Sequence, residues 1–130
     1  MKIHGWGHYS VVDAQILKPA KVNDLNELIK VNKNIIARGL GRSYGDSANS
    51  NIVLDTTSLN RVVKFDSESG IILCESGVSI KEINELTIPQ GWFIPVTSGS
   101  SYVTLGGAIA SDIHGKNHHL DGAFSDHILS

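Results

Sequence analysis

The stretch Ser111-Asp112-Ile113-His114-Gly115-Lys116-Asn117-His118-His119-Leu120-Asp121-Gly122 holds three of the chain's six histidines, with two aspartates and a lysine. Imidazole, carboxylate and ammonium groups at this density offer metal ligation, proton transfer or polar contact with a bound cofactor. His114 and His118 stand four apart, the spacing at which a zinc helix presents two ligands. Gly115 and Asn117 are poor helix formers at that point, and no glutamate adjoins His114. Asp112 with His114 and His118 could imitate an iron triad. Equally, these side chains could do no more than hydrogen-bond one another in a loop. From its residues alone the stretch leaves metal site, structural loop, and cofactor or catalytic wall open.

Two glycine loops upstream carry a different chemistry. Ala37-Arg38-Gly39-Leu40-Gly41-Arg42-Ser43-Tyr44-Gly45-Asp46-Ser47 follows directly on an apolar run. Successive backbone N–H groups in a tight loop form an anion-binding nest, and Arg38, Arg42, Ser43 and Tyr44 add side-chain donors. No G-K-[ST] follows at the place a Walker A loop requires. The glycines run G-x-G-x-x-x-G into polar loop rather than helix, which departs from the Rossmann fingerprint. A phosphate site and a structural glycine-rich turn both remain. The second loop, from Ser98 to Gly107, sets Ser98, Ser100, Ser101 and Thr104 hydroxyls among Gly99, Gly106 and Gly107. Two glycine–hydroxyl loops in one small domain suit a long ligand with a central pyrophosphate, the shape of a dinucleotide.

These loops need elements to hold them. Val22, Leu25, Leu28 and Ile29 have helical spacing with Asn23 as N-cap, predicting a helix over 23–33. Residues 34–38 and 52–54 read as short buried strands. Residues 61–65 and 71–75 read as a hairpin around Asp66, Ser67, Ser69 and Gly70. Ser79 and Glu82 form an S-x-x-E capping box, with Val78 stapling on Ile83, so a second helix starts there and ends before Pro89. Thr104 caps a short helix through Gly106, Gly107 and Ala108. His127-Ile128-Leu129 reads as the start of a strand, and the chain is expected to be a piece of a longer protein. The order of elements predicts an α+β fold.

At 130 residues, 41% hydrophobic and 18% charged, the chain suits one folded domain with a core. A net charge of −2 and scattered Lys and Arg give no footprint for nucleic acid. The lone Cys74 rules out an internal disulfide framework; inside an apolar run it reads as a buried, inert thiol. The start of the chain lacks an apolar leader, and no stretch reaches membrane-spanning length, so the expected location is cytoplasmic.

Three stretches, ARGLGRSYGDSA, VTSGSSYVTLGGAIASDIHGKNHH and GAFSDHI, together resemble the vanillyl-alcohol-oxidase (PCMH-type) FAD-binding superfamily. Within it the DIHGKNHH string is most similar to the decaprenylphosphoryl-β-D-ribose 2-oxidase group. The resemblance implies a PCMH-type FAD-binding domain over 1–130, built of two small α+β halves with FAD between them, its C-terminal part and the substrate domain missing. It implies that Ala37 through Ser47 wrap the FAD pyrophosphate, and that Gly99 and Thr104, Leu105, Gly106 and Gly107 contact phosphates and flavin. It implies that His114, Gly115, Lys116 and Asn117 run beside the isoalloxazine ring. Many members attach FAD through a histidine in the first loop; Arg42 stands there in this chain, which implies non-covalent FAD. The implied reaction is hydride transfer from a secondary alcohol of a sugar-like substrate to flavin N5. His114 would position or deprotonate the hydroxyl, and Lys116 would stabilise charge on the flavin or anchor the loop. A cut face would favour self-association. A non-catalytic flavin or nucleotide module and a histidine-cluster metal domain are the alternatives.

Overall fold

Branched apolar runs at Ile35–Arg38 and Ile52–Asp55 become neighbouring parallel strands in the computed structural model, which describes all residues from Met1 to Ser130. The chain divides into two units, Met1–Asn60 and Arg61–Ser130. The first contains β1 (Lys2–Ile3), β2 (Val12–Asp13), β3 (Gln15–Leu17), α1 (Asp24–Val31), β4 (Ile35–Arg38) and β5 (Ile52–Asp55). β3, β5 and β4 form a parallel sheet in that order, while β1 and β2 pair antiparallel. Val53, on the central strand, is fully buried with Ile3 and Ala14. All three parallel strands point their carboxyl ends the same way, the end at which open α/β sheets bind ligands. The Thr56 hydroxyl donates to the Arg38 carbonyl (3.2 Å) and ties two of those ends together.

Helix α1 forms where its spacing predicts, but its start is held differently. The Asn23 side chain makes no cap bond; the Asp24 carboxylate instead accepts the N–H groups of Ala20 and Lys21 at 2.9 and 3.0 Å. Strands β1 to β3 escape sequence reading because two or three residues are too few to display a period.

The second unit begins with an antiparallel hairpin, β6 (Val62–Asp66) and β7 (Ile71–Cys74), bulged between Val62 and Lys64. The Asp66 carboxylate organises its turn by accepting from Glu68 N and Ser69 Oγ. Arg61 closes the other end on the Glu75 carboxylate at 2.7 Å. Helix α2 (Ile80–Thr87) carries the full reciprocal capping box. Ser79 Oγ accepts the Glu82 N–H at 3.1 Å, and the Glu82 carboxylate accepts the Ser79 N–H at 2.8 Å. Val78 and Ile83 are both buried in the cluster that also holds Ile80, Val96, Ala108 and Phe124. α2 gives way to a turn at Ile88–Gln90 that contains Pro89, as expected. Cys74 packs against the same cluster, and burial raises its thiol above the ordinary value, which keeps it an unreactive thiol.

Two short helices follow, α3 (Leu105–Ala110) and α4 (His118–Asp121). Phe124–His127 is a 3-10 turn, closed by the Asp126 carboxylate accepting the Ala123 N–H at 2.9 Å. His127, where the expected strand begins, ends that turn; Ile128 after it has extended backbone but pairs in no sheet. Both units are mixed α and β, so the α+β expectation of two small halves holds. No helix is long and apolar enough to cross a membrane.

Each capping-box partner supports the other, so Ser79→Ala is expected to cost about 1 kcal/mol at neutral pH by denaturant unfolding. Hydrogen bonds from the Ser79 hydroxyl and N–H hold the Glu82 carboxyl below its ordinary 4.5. A depressed folded value stabilises the fold above the unfolded value, and that stabilisation is lost as pH falls through the folded one. The gap between wild type and Ser79→Ala should therefore narrow below about pH 4.5; a gap that widens in acid contradicts the assignment.

Candidate functional site

In the first unit the loop after β4 is held from inside by a cation. Arg38 donates to the Ala48 carbonyl (3.1 Å), Asn49 Oδ1 (2.8 Å) and the His4 carbonyl (2.7 Å). Burial pushes its guanidinium below the ordinary value, with Asp55 pulling it back, and at such a basic starting point it stays cationic. Gly41 is in the left-handed region (φ 68°), and a Cβ there would run into that guanidinium. Gly45 is also left-handed, at φ 63°. Trp6 N donates to the Ser43 carbonyl at 3.0 Å, and the Arg42 guanidinium lies over the Trp6 ring at 4.8 Å. Within this unit no protein acceptor takes the N–H groups of Gly41, Ser43, Tyr44 or Gly45. Tyr44 is 83% exposed. The loop is thus a frame with carbonyls and Arg38 turned inward and amide donors left over, as an anion requires.

In the second unit two backbone strips meet. Residues 97–99 and 114–118 line one open cavity of about 620 Å³, which brings Gly99, His114, Gly115, Lys116 and Asn117 together with Thr97, Ser98 and His118. Gly115 makes the approach possible: a Cβ there would stand 2.5 Å from the Thr97 carbonyl oxygen and 2.8 Å from Asn117 Oδ1. Asn117 fastens the strips by donating to the Pro95 carbonyl (2.8 Å) and to the Asp121 carboxylate (2.7 Å). His114 pairs with Ala123 in an isolated antiparallel bridge, and Phe124 N donates to the Ile113 carbonyl at 2.9 Å. Asp112 is left-handed at φ 42°, a conformation aspartate tolerates better than most residues. Its carboxylate accepts the Ser125 N–H at 2.9 Å, and hydrogen bonding from Ser125 holds it below the ordinary aspartate range.

Thr104, Leu105, Gly106 and Gly107 do not line that cavity. The amides of the last three are spent inside the unit: Leu105 N donates to the Val78 carbonyl, Gly106 N to that of Ser76, and Gly107 N to Thr104 Oγ1. A Cβ on Gly106 would come within 2.9 Å of the Ser76 Cβ, so this glycine serves a close backbone crossing.

The histidines form a ring contact chain rather than a ligand set. His114 and His118 are edge-on with centroids 5.3 Å apart, and His118 and His119 are 4.0 Å apart. His118 Nδ1 is 2.9 Å from the Gly115 carbonyl. No group of three His, Cys, Asp or Glu side chains converges to hold a metal ion. Ser98, the first residue of the predicted second loop, lines the cavity; sequence reading missed Thr97 beside it, and His4, Gly5 and Trp6 beneath the first loop. Thr97 adjoins the predicted glycine loop; for the others the one signal is a pair of glycines flanking a tryptophan near the start of the chain.

The family model described as an FAD binding domain matches residues 14–130. Decaprenylphosphoryl-beta-D-ribose oxidase of Mycolicibacterium smegmatis is 37% identical over 136 residues, covering 99% of this chain and 30% of the relative. D-2-hydroxyglutarate dehydrogenase of Escherichia coli is 34% identical over 87 residues, covering 65% of this chain and 8% of the relative. The chain thus spans less than a third of the length of these curated relatives. Among solved structures, an alkyldihydroxyacetonephosphate synthase superposes with a TM-score of 0.71 at 22% identity, covering 85% of this chain and 22% of the other, a likeness of fold. With the family match running through nearly the whole chain, this protein belongs to the FAD binding domain family.

Proposed function

We propose that this chain is the FAD-holding part of an oxidoreductase that oxidises a secondary alcohol of a sugar-like substrate, with FAD bound non-covalently. The cavity between residues 97–99 and 114–118 carries the reading, because about 620 Å³ lies within the range of sites that enclose a cofactor's ring system. Its walls are backbone and polar side chains that can meet a flavin's polar edge. The loop from Ala37 to Ser47 supplies what a pyrophosphate needs, unpaired amides and a cationic frame. On this reading Gly106, pressed on Ser76, holds the start of α3 in place within the second unit. Similarity to a sugar-lipid oxidase over 99% of the chain supports the substrate class. Arg42, which lies over Trp6 in the first loop, offers no imidazole for attachment to the cofactor.

Bound there, FAD would supply the hydride acceptor at flavin N5. The chain's own residues would hold and exclude. His114 is exposed on the cavity wall, held edge-on by His118, where an imidazole nitrogen can accept the hydroxyl proton as hydride leaves the carbinol carbon. Lys116, exposed on the same wall, would place positive charge beside the ring. Asp112 and Asn117 would position the strip that bears both.

Two measurements test this. Gly115→Ala should weaken FAD binding about ten-fold or more, read by flavin fluorescence quenching, because the Thr97 strip must move away; in both proteins acid should release all flavin from the precipitate. Unchanged affinity, or flavin that stays with the precipitate, contradicts the reading. In the whole protein, His114→Ala should slow substrate-driven flavin reduction about 100-fold with little loss of FAD affinity. Normal reduction with FAD lost would make His114 a cofactor anchor only.

A further inference from the structure

The family match begins at residue 14, yet the loop with the unpaired amides is gripped by residues that come before it. Trp6 N donates to the Ser43 carbonyl at 3.0 Å, and Arg38 reaches the His4 carbonyl at 2.7 Å. Between those contacts Gly5 is buried flat against the loop. A Cβ on Gly5 would stand 3.0 Å from the Ser43 carbonyl oxygen and run directly into that of Gly45.

Peptide geometry turns these contacts into a statement about donors. In a trans peptide the carbonyl and the N–H of the next residue point in opposite directions. Drawing the Ser43 carbonyl toward Trp6 therefore aims the Tyr44 N–H away from the N-terminal segment. Seating the Gly45 carbonyl on Gly5 aims the Asp46 N–H away likewise. Neither N–H has a protein acceptor within the unit. The Trp6 ring meanwhile lies under Arg42, at 4.8 Å from its guanidinium carbon.

We infer that His4, Gly5 and Trp6 are positioning residues of the anion site: by holding the loop's carbonyls on one side they direct its amides toward the pyrophosphate of FAD on the other. The inference rests on the FAD reading above and adds to it a segment outside the family match. The ligand chemistry is that of a diphosphate, so ADP probes it as well as FAD, whereas riboflavin, which lacks phosphate, does not.

Adjacent glycines provide the test, since Gly7 has open space where Gly5 has a carbonyl. Affinities of wild type, Gly5→Ala and Gly7→Ala are measured for FAD, ADP and riboflavin, with thermal melting of each. Gly5→Ala should bind FAD and ADP about ten-fold more weakly while riboflavin is unaffected, and Gly7→Ala should match wild type. Should Gly5→Ala not fold, Trp6→Ala decides in its place, with the same split between phosphate-bearing and phosphate-free ligands expected. Equal binding of FAD by Gly5→Ala and wild type, or an equal loss for riboflavin, overturns the inference and leaves the FAD reading intact. A wild-type chain that takes up neither FAD nor ADP removes the FAD reading, and the inference falls with it.

Discussion

Close approach of one backbone to another, at points where a side chain would not fit, is the constraint on which the site depends. Gly115 lies against the Thr97 carbonyl, and the cavity exists because those two strips meet. Gly106 crosses Ser76 in the same manner at the start of α3. Gly5 does this for the first loop. A site assembled from main chain presents amide dipoles at fixed positions and loses little conformational freedom when an anion or a polar ring edge arrives. Side chains then serve chiefly as fasteners: Arg38, Asn117 and Asp112 each spend their polar groups on backbone partners.

This division of labour explains which parts were legible in the sequence. Ser79 with Glu82, Thr104 before two glycines, and the apolar runs at 35–38 and 52–55 announce themselves, because local chemistry alone decides them. The polar stretch around His114 was legible as a site but not as a kind of site, since histidine density is the same for a metal cluster and a cofactor wall. What the sequence could not convey is pairing. Nothing in Thr97 says that Gly115 will press on it, and nothing in His4-Gly5-Trp6 says that a loop more than thirty residues later will sit on it. The amides of Leu105, Gly106 and Gly107 bond to Val78, Ser76 and Thr104, pairings that the glycines themselves do not announce. Strands β1 to β3 are set by pairing partners rather than by their own few residues.

Charge follows the same logic. The first loop keeps Arg38 half-buried, its cation held in the frame by three hydrogen bonds. The second unit keeps Lys116 exposed on the cavity wall that His114 and His118 also line. An anionic phosphate and an electron-rich ring edge call for those two arrangements, one rigid and one accessible, and the sequence separates them by nearly eighty residues.

The central claim is that the loop after β4 presents its unpaired amides to the pyrophosphate of FAD. Amide hydrogen exchange of the chain with and without FAD addresses it most directly. The account predicts slowed exchange at Gly41, Ser43, Tyr44, Gly45 and Asp46, while Leu105 to Gly107, already bonded within the protein, change little. Unchanged exchange throughout that loop, or protection found only around the histidines on addition of zinc, would contradict it.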